Sequence, residues 1–185
     1  MAVDLSHVTV AILATDGVEQ VELTRPRDAL VEAGATVHLV APKDEIQGFH
    51  HLDKADRFPA DRRVHDVNPG TYDALVLPGG VANPDALRMD RDAVDFACAF
   101  LDAGKTVAAI CHAAWPLVEA NCVRGRRMTS WPSLQTDLRN AGAEWVDEEV
   151  VECRAGHGLL ITSRKPDDLP AFTRTLLEDL SKLEH

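Results

Sequence analysis

Apolar positions along the chain follow two rhythms. Residues 8–14 are nearly all apolar, the pattern of a strand buried on both faces of a parallel sheet, and Asp16-Gly17 stops the run. Residues 36–40, 72–77 and 107–110 predict further strands, the last two also as buried runs. Between them the spacing becomes helical. Ala29, Leu30 and Ala33 mark one face of a helix for which Thr24 offers an N-cap and Pro26 an early helical position, and Gly34 closes it. Val94, Ala97, Cys98 and Leu101 mark a second helix that ends at Gly104. Residues 113–120 and 133–140 predict two more, and Leu169, Phe172, Leu176, Leu180 and Leu183 form the stripe of the last. Residues 149–153 and 159–163, separated by Ala155-Gly156-His157-Gly158, predict a hairpin. Residues 42–68 are polar and predict an irregular excursion with short strands near 46–50 and 64–65. Strands alternating with helices predict one α/β domain over residues 1–185, with a mostly parallel sheet and helices on both faces as three layers.

Three strand runs end in residues with chemistry, and in open α/β sheets ligands sit beyond the C-terminal strand ends. The first run leads to the acids Asp16, Glu19 and Glu22. The run 72–77 leads to Pro78-Gly79-Gly80, whose glycine amides can approach and donate to an oxyanion. The run 107–110 leads to Cys111-His112. A cysteine at such a strand-to-helix turn has its sulfur lifted clear of the sheet and facing helix N-terminal amides, which favour thiolate over thiol. Each feature also has a plainer reading. Cys98 lies in a helical apolar stripe and reads as a small buried hydrophobe, and Cys122 and Cys153 read as structural. Neighbouring residues point apart, so spacing leaves the role of His112 open. Glu19 serves equally as a solvated acid at a helix start, and Pro78-Gly79-Gly80 as a turn. His157 reads as a hairpin tip, and His7, His38, His50, His51 and His65 share no spacing.

Composition narrows the function classes. The net charge of -11, with no Lys/Arg cluster beyond residues 124–127, repels phosphate backbones and argues against nucleic-acid binding as a main task. The chain has 45% hydrophobic and 26% charged residues, as an ordinary globular protein does. No apolar run reaches the length of a membrane span, and residues 1–7 hold no apolar signal core. The four cysteines lack Cys-x-x-Cys spacing, which argues against zinc and against a disulfide framework. A cytoplasmic protein with reduced thiols and no metal or cofactor is expected.

Taken together, Val18-Glu19-Gln20-Val21-Glu22-Leu23, Tyr72-Asp73-Ala74-Leu75-Val76-Leu77-Pro78-Gly79-Gly80, Ala109-Ile110-Cys111-His112 and Thr162-Ser163-Arg164-Lys165-Pro166-Asp167-Asp168-Leu169 closely resemble the PfpI family of the DJ-one superfamily. The similarity runs from about residue 8 to 180, with the motifs in the family's order. It implies a flavodoxin-like sandwich of the class I glutamine amidotransferase-like type, with Cys111 as nucleophile and His112 as its catalytic partner. It also implies that Glu19 hydrogen-bonds the cysteine sulfur, holding its proton because two anions in contact disfavour each other. Family members complete the site with an acid from a neighbouring subunit, and Asp85 lies at that place, which implies a homo-oligomer. The chain departs from the family where Ala113-Ala114-Trp115-Pro116 follows the Cys-His pair; Trp115 is expected to narrow the pocket, and Trp131 to be structural or a pocket wall.

What the resemblance implies is a stress-protective, cysteine-dependent hydrolase or lyase of the glyoxalase III or deglycase type, with small aldehydes, glycated amines or peptides as substrates. Gly80 and His112 amides would steady the oxyanion. An intracellular cysteine peptidase is the alternative, ranked lower because Trp115 suits small aldehydes. A redox sensor or stress chaperone using an oxidisable Cys111 is the alternative from another class. A glutamine amidotransferase needs a downstream His followed two residues later by Glu, and His157-Gly158-Leu159 does not supply it; an esterase triad has only His157 and His185 downstream of the elbow.

Overall fold

The computed structural model describes residues 3–183; His185 lies outside them. Its central sheet has seven strands: β1 (Thr9–Leu13), β3 (Thr36–Ala41), β6 (Arg62–Arg63), β7 (Ala74–Leu77), β8 (Thr106–Ile110), β11 (Val150–Cys153) and β12 (Leu159–Ser163). They run in the order β11-β12-β8-β7-β1-β3-β6, and every neighbouring pair is parallel except the β11–β12 hairpin. Leu77 pairs with Ala109 and Ile110 with Ser163, so β7, β8 and β12 end along one edge of the sheet. That edge is where their following loops must meet.

Successive residues of a strand face opposite ways, and both faces here are apolar. Val10, Ile12, Val76, Ala108, Ile110 and Ile161 pack against α1 (Gln20–Glu32) and α6 (Leu169–Leu180), through Leu23, Leu30, Phe172 and Leu176. Ala11, Leu13, Leu75, Leu77, Val107 and Leu160 face the other way, onto α3 (Arg91–Asp102) and its neighbours, through Phe96, Phe100 and Leu101. The Asp90 side chain accepts from the Ala93 amide at 3.1 Å and so caps α3. The result is a three-layer, flavodoxin-like sandwich.

Several local expectations are corrected. The first helix begins at Gln20, not at Thr24, and Pro26 lies inside it. Tertiary packing outweighs the lost amide there, because Pro26 joins Leu23 and Leu30 on the buried face. The excursion 42–68 is more ordered than its polarity implies. β4 (Glu45–His50) and β5 (Asp53–Pro59) form an antiparallel hairpin, and the short β2 (Val18–Glu19) joins β4. β5 carries no apolar alternation and ends in proline, so it has no sequence signal. Residues Val64–Asp66 form a 3-10 turn instead of a strand, and α2 (Ala82–Arg88) follows the glycine turn unforeseen. Residues 111–114 are turns, leaving α4 (Trp115–Glu119) only five residues long. β9 (Arg127–Met128), α5 (Gln135–Asn140) and β10 (Glu144–Trp145) complete the chain between α4 and β11. Finally, Cys98 and Cys122 are joined as a disulfide, against the expectation of thiols without a bridge; α3 and the end of α4 bring together cysteines 24 residues apart.

Candidate active site

Cys111 adopts φ 65°, a left-handed conformation uncommon for a residue with a Cβ. Two backbone bonds hold it there: its amide donates to Ser163 O at 3.0 Å, and its carbonyl accepts from the Trp131 amide at 3.0 Å. Left-handed backbone turns the side chain back, so that Sγ lies 3.2 Å from Nδ1 of the adjacent His112. The two neighbouring side chains therefore meet, although their spacing alone did not require it. Cys111 is 6% and His112 8% exposed. Trp131 stacks on the imidazole, with ring centroids 5.8 Å apart and planes at 21°, and Trp115 meets it edge-on at 5.2 Å. Arg88 lies over the Trp115 ring, and Trp115 Nε1 donates to Asp137 Oδ2 at 3.4 Å. Trp131 is therefore a wall of the site, beside Trp115.

The acid at the sulfur is Glu22, not Glu19. Glu19 sits in β2, and its Oε2 accepts from the His51 amide at 3.0 Å, so it secures the β4–β5 hairpin. Asp16 does likewise through the Gln47 amide at 2.8 Å and Lys43. Glu22 lies in the first turn of α1, on the face that carries Leu23, Pro26 and Leu30, and is fully buried. Its Oε2 accepts from the Gly79 amide at 2.8 Å, and its carboxyl faces the Cys111 thiol. The sequence holds a signal for this: an acid four residues before Pro26, in register with Leu30, is committed to the core once the helix starts at Gln20.

The glycine turn is divided in its duties. A Cβ on Gly79 would lie 2.6 Å from Glu22 Oε2, 2.7 Å from Cys111 Cβ and 2.8 Å from Ile110 O, so only glycine lets the three elements close. Its amide is already given to Glu22 and is not an oxyanion donor. Gly80, at φ +81°, and His112 instead turn their amides to the Cys111 sulfur. The turn is braced by Asn83, fully buried, which sequence reasoning missed. Its Oδ1 accepts from Thr15 N at 2.7 Å, and its Nδ2 donates to Pro78 O at 2.9 Å and Gly79 O at 3.0 Å.

Electrostatically, burial of the site works against the thiolate that the strand-to-helix turn leads one to expect. Burial, and then the negative charge of Glu22, push the Cys111 thiol up, while the Gly80 and His112 amides pull it down. A helix N-terminus does not offset this, because α4 begins four residues later and is a single short turn. Burial raises Glu22 to about 8, so at neutral pH its carboxyl holds a proton beside the Cys111 thiol, and its Oε1 has no hydrogen-bond partner among the described residues. Burial also lowers His112, favouring the neutral imidazole. Its Nε2 has no hydrogen-bond partner among the described residues. Asp85 sits in the first turn of α2, exposed to solvent, with no hydrogen bond to His112 within the chain. His157 belongs to the turn before β12, at the opposite end of that strand from Ser163 and Cys111, so it takes no part in the site.

Arg164 explains the motif after β12: its guanidinium clamps Asp168 through Nε and Nη2 at 2.9 and 3.0 Å and reaches Asp147 at 2.8 Å. It fixes the strand end that supports the elbow. No helix among the described residues is long and apolar enough to cross a membrane.

Residues 8–179 match the DJ-1/PfpI family. The chain is 40% identical over 168 residues to Protein/nucleic acid deglycase 2 of Escherichia coli K12, covering 91% of this chain and 95% of that one. It is 40% identical over 171 residues to YraA of Bacillus subtilis 168, provisionally named a cysteine protease, covering 91% and 95%. The crystal structure of DJ-1beta from Drosophila melanogaster superposes with a TM-score of 0.83 at 26% identity, over 95% of this chain and 91% of that one.

Proposed function

This chain belongs to the DJ-1/PfpI family, and from that premise we propose that it is a cysteine-dependent enzyme acting on reactive aldehydes or on the glycated amines they form. The observation that carries this reading is the Cys111 sulfur 3.2 Å from His112 Nδ1 in a nearly closed site flanked by Trp115 and Trp131. A thiol 6% exposed receives a small carbonyl far better than a polypeptide backbone. Cys111 also does not line the open cavity of about 670 Å³ between α1 and α6.

In the proposed reaction the sulfur attacks the carbonyl carbon as its proton passes to His112 Nδ1. The carbon–sulfur bond forms while the carbonyl π pair moves to oxygen, and the Gly80 and His112 amides receive that oxyanion. The imidazolium then returns its proton to the oxygen, giving a hemithioacetal. With an α-oxoaldehyde, His112 shuttles the carbon-bound proton to the neighbouring carbon while the hydroxyl proton passes to the neighbouring carbonyl oxygen, and water hydrolyses the resulting thioester to the hydroxy acid and the free thiol. With a glycated amine in its hemiaminal form, the sulfur replaces nitrogen on the hydroxyl-bearing carbon: the carbon–sulfur bond forms as the carbon–nitrogen bond breaks, and His112 passes the thiol's proton to the leaving amine, giving the same hemithioacetal. Asp85 of a neighbouring copy would orient His112 through its unpartnered Nε2, which makes the working unit an oligomer.

Steady-state kinetics on methylglyoxal, a glycated peptide and a fluorogenic peptide test this, wild type against Cys111→Ser. Turnover of the first two should vanish in the variant. Retention of either in Cys111→Ser would overturn the reading, and wild-type turnover of the fluorogenic peptide alone would make the chain a peptidase. The proton on Glu22 supports a second reading, since a donor beside sulfur also stabilises a sulfinate. Intact mass after mild peroxide should show oxygen added at Cys111; absence of that addition removes the sensor.

A further inference from the structure

We propose that Cys98 and Cys122 are a reversible redox pair, separate from the nucleophile, whose oxidation clamps the segment of chain that carries the active site. The two residues lie on different elements: Cys98 in the middle of α3, Cys122 just beyond the end of α4. Their Cα atoms are 6.5 Å apart, inside the range a disulfide spans. The ring of chain they close contains β8, Cys111, His112 and Trp115, so every covalent route to the elbow passes through the clamp.

Both oxidation states fit this site. As a disulfide the pair fastens the last turn of α4, where the Cys122 amide already donates to Leu117 O at 2.9 Å. As a dithiol each sulfur has an acceptor for its proton: Asp102 Oδ2 lies 3.6 Å from Cys98 Sγ, and Ala120 O lies 3.5 Å from Cys122 Sγ. Reduction therefore leaves no buried donor without a partner. Both residues are half-buried, so small oxidants and reductants reach them. The oxidant is of the peroxide class. Two thiols lose two electrons and two protons to give the disulfide, and the peroxide is reduced to water and an alcohol, or to two waters if it is hydrogen peroxide. A dithiol reductant reverses the step by exchange.

The test uses the full chain with Cys111→Ser and Cys153→Ser, so that only this pair can react and no result depends on catalysis. The protein is reduced with dithiothreitol, desalted, exposed to hydrogen peroxide, alkylated with N-ethylmaleimide and weighed. Two alkylations should disappear with a loss of about 2 Da, a linked peptide spanning Cys98 and Cys122 should form, and Tm should rise by roughly 10 °C for a ring of this length. Dithiothreitol should undo all three changes. Adding Cys122→Ser should abolish the linked peptide and the rise in Tm while leaving the reduced Tm within about 2 °C. Two thiols still alkylated after peroxide, oxygen added without a link, a bond that dithiothreitol does not open, or a linked form with unchanged Tm would each overturn the proposal.

Discussion

Replacing Glu22 by Gln should flatten the dependence of stability on pH. In the folded chain burial raises this carboxyl from 4.5 to about 8. The unfolded chain releases the proton near the lower value and the folded chain near the higher. Between them the folded state binds one more proton, so stability falls as pH rises, by up to about 1.36 kcal/mol per pH unit. Across that window the loss amounts to about 5 kcal/mol, with the full stability present below 4.5 and the full penalty above 8. Gln keeps the oxygen that accepts from the Gly79 amide, has the same size and cannot ionise. The assay is urea unfolding of the parent chain and its Glu22→Gln variant from pH 4.5 to 9, both carrying Cys111→Ser so that the neighbouring thiol does not titrate. The difference between the two chains isolates this group, because other titrations cancel. The Glu22→Gln chain should gain several kcal/mol on its parent between pH 5 and pH 9. Two curves that stay parallel over that range would show that Glu22 is not held protonated, and the account of the site's electrostatics would fail.

Other consequences follow from the same geometry. The acid limb of kcat/KM should lie below the usual 6.5 of imidazole, because burial lowers His112, and His112→Gln should abolish both the limb and at least about a hundredfold of the rate; a limb above 6.5 would refute the assignment. Gly79→Ala should lower stability by about 1–3 kcal/mol in thermal unfolding and disable the site, since the new Cβ overlaps Glu22, Cys111 and Ile110 at once; an unperturbed, active variant would contradict the packing. If Asp85 serves a neighbouring copy, inactive Asp85→Asn and His112→Gln chains refolded together should recover about a quarter of wild-type activity, from mixed pairs with one intact site. No recovery from a mixture shown by mass to contain hybrids would place the orienting group elsewhere.

What could be read locally and what could not differ in physical kind. A buried parallel strand is a continuous apolar run, and a residue at its end is exposed to the crevice by the topology alone. That made residues 107–110, Cys111 and His112 legible, together with the sandwich around them. The glycines after residue 77 were legible as a close approach, though not the division by which Gly79 serves Glu22 and Gly80 serves the sulfur. Strand β5 was not legible, because it is mostly polar with only Phe58 buried, and is held by pairing to β4. Nor was Asn83, whose bonds reach residues 15, 78 and 79 through contacts that no periodicity encodes.

The choice among the acids was likewise made by packing. Asp16, Glu19 and Glu22 follow one strand within seven residues, and the chain order cannot say which enters the core. The helix decides, since starting α1 at Gln20 turns Glu22 inward with Pro26 and Leu30 and leaves Glu19 to the hairpin. The same holds for the cysteines. The sequence by itself determined the fold class and the place of Cys111 and His112 at a strand end, because these follow from burial pattern and strand direction. Only the tertiary structure decided that burial raises Cys111 and the Glu22 beside it above their ordinary values, and that Cys98 meets Cys122. Protonation and pairing depend on which groups are brought into contact and how far water is excluded from them, and neither is a property of the chain in order.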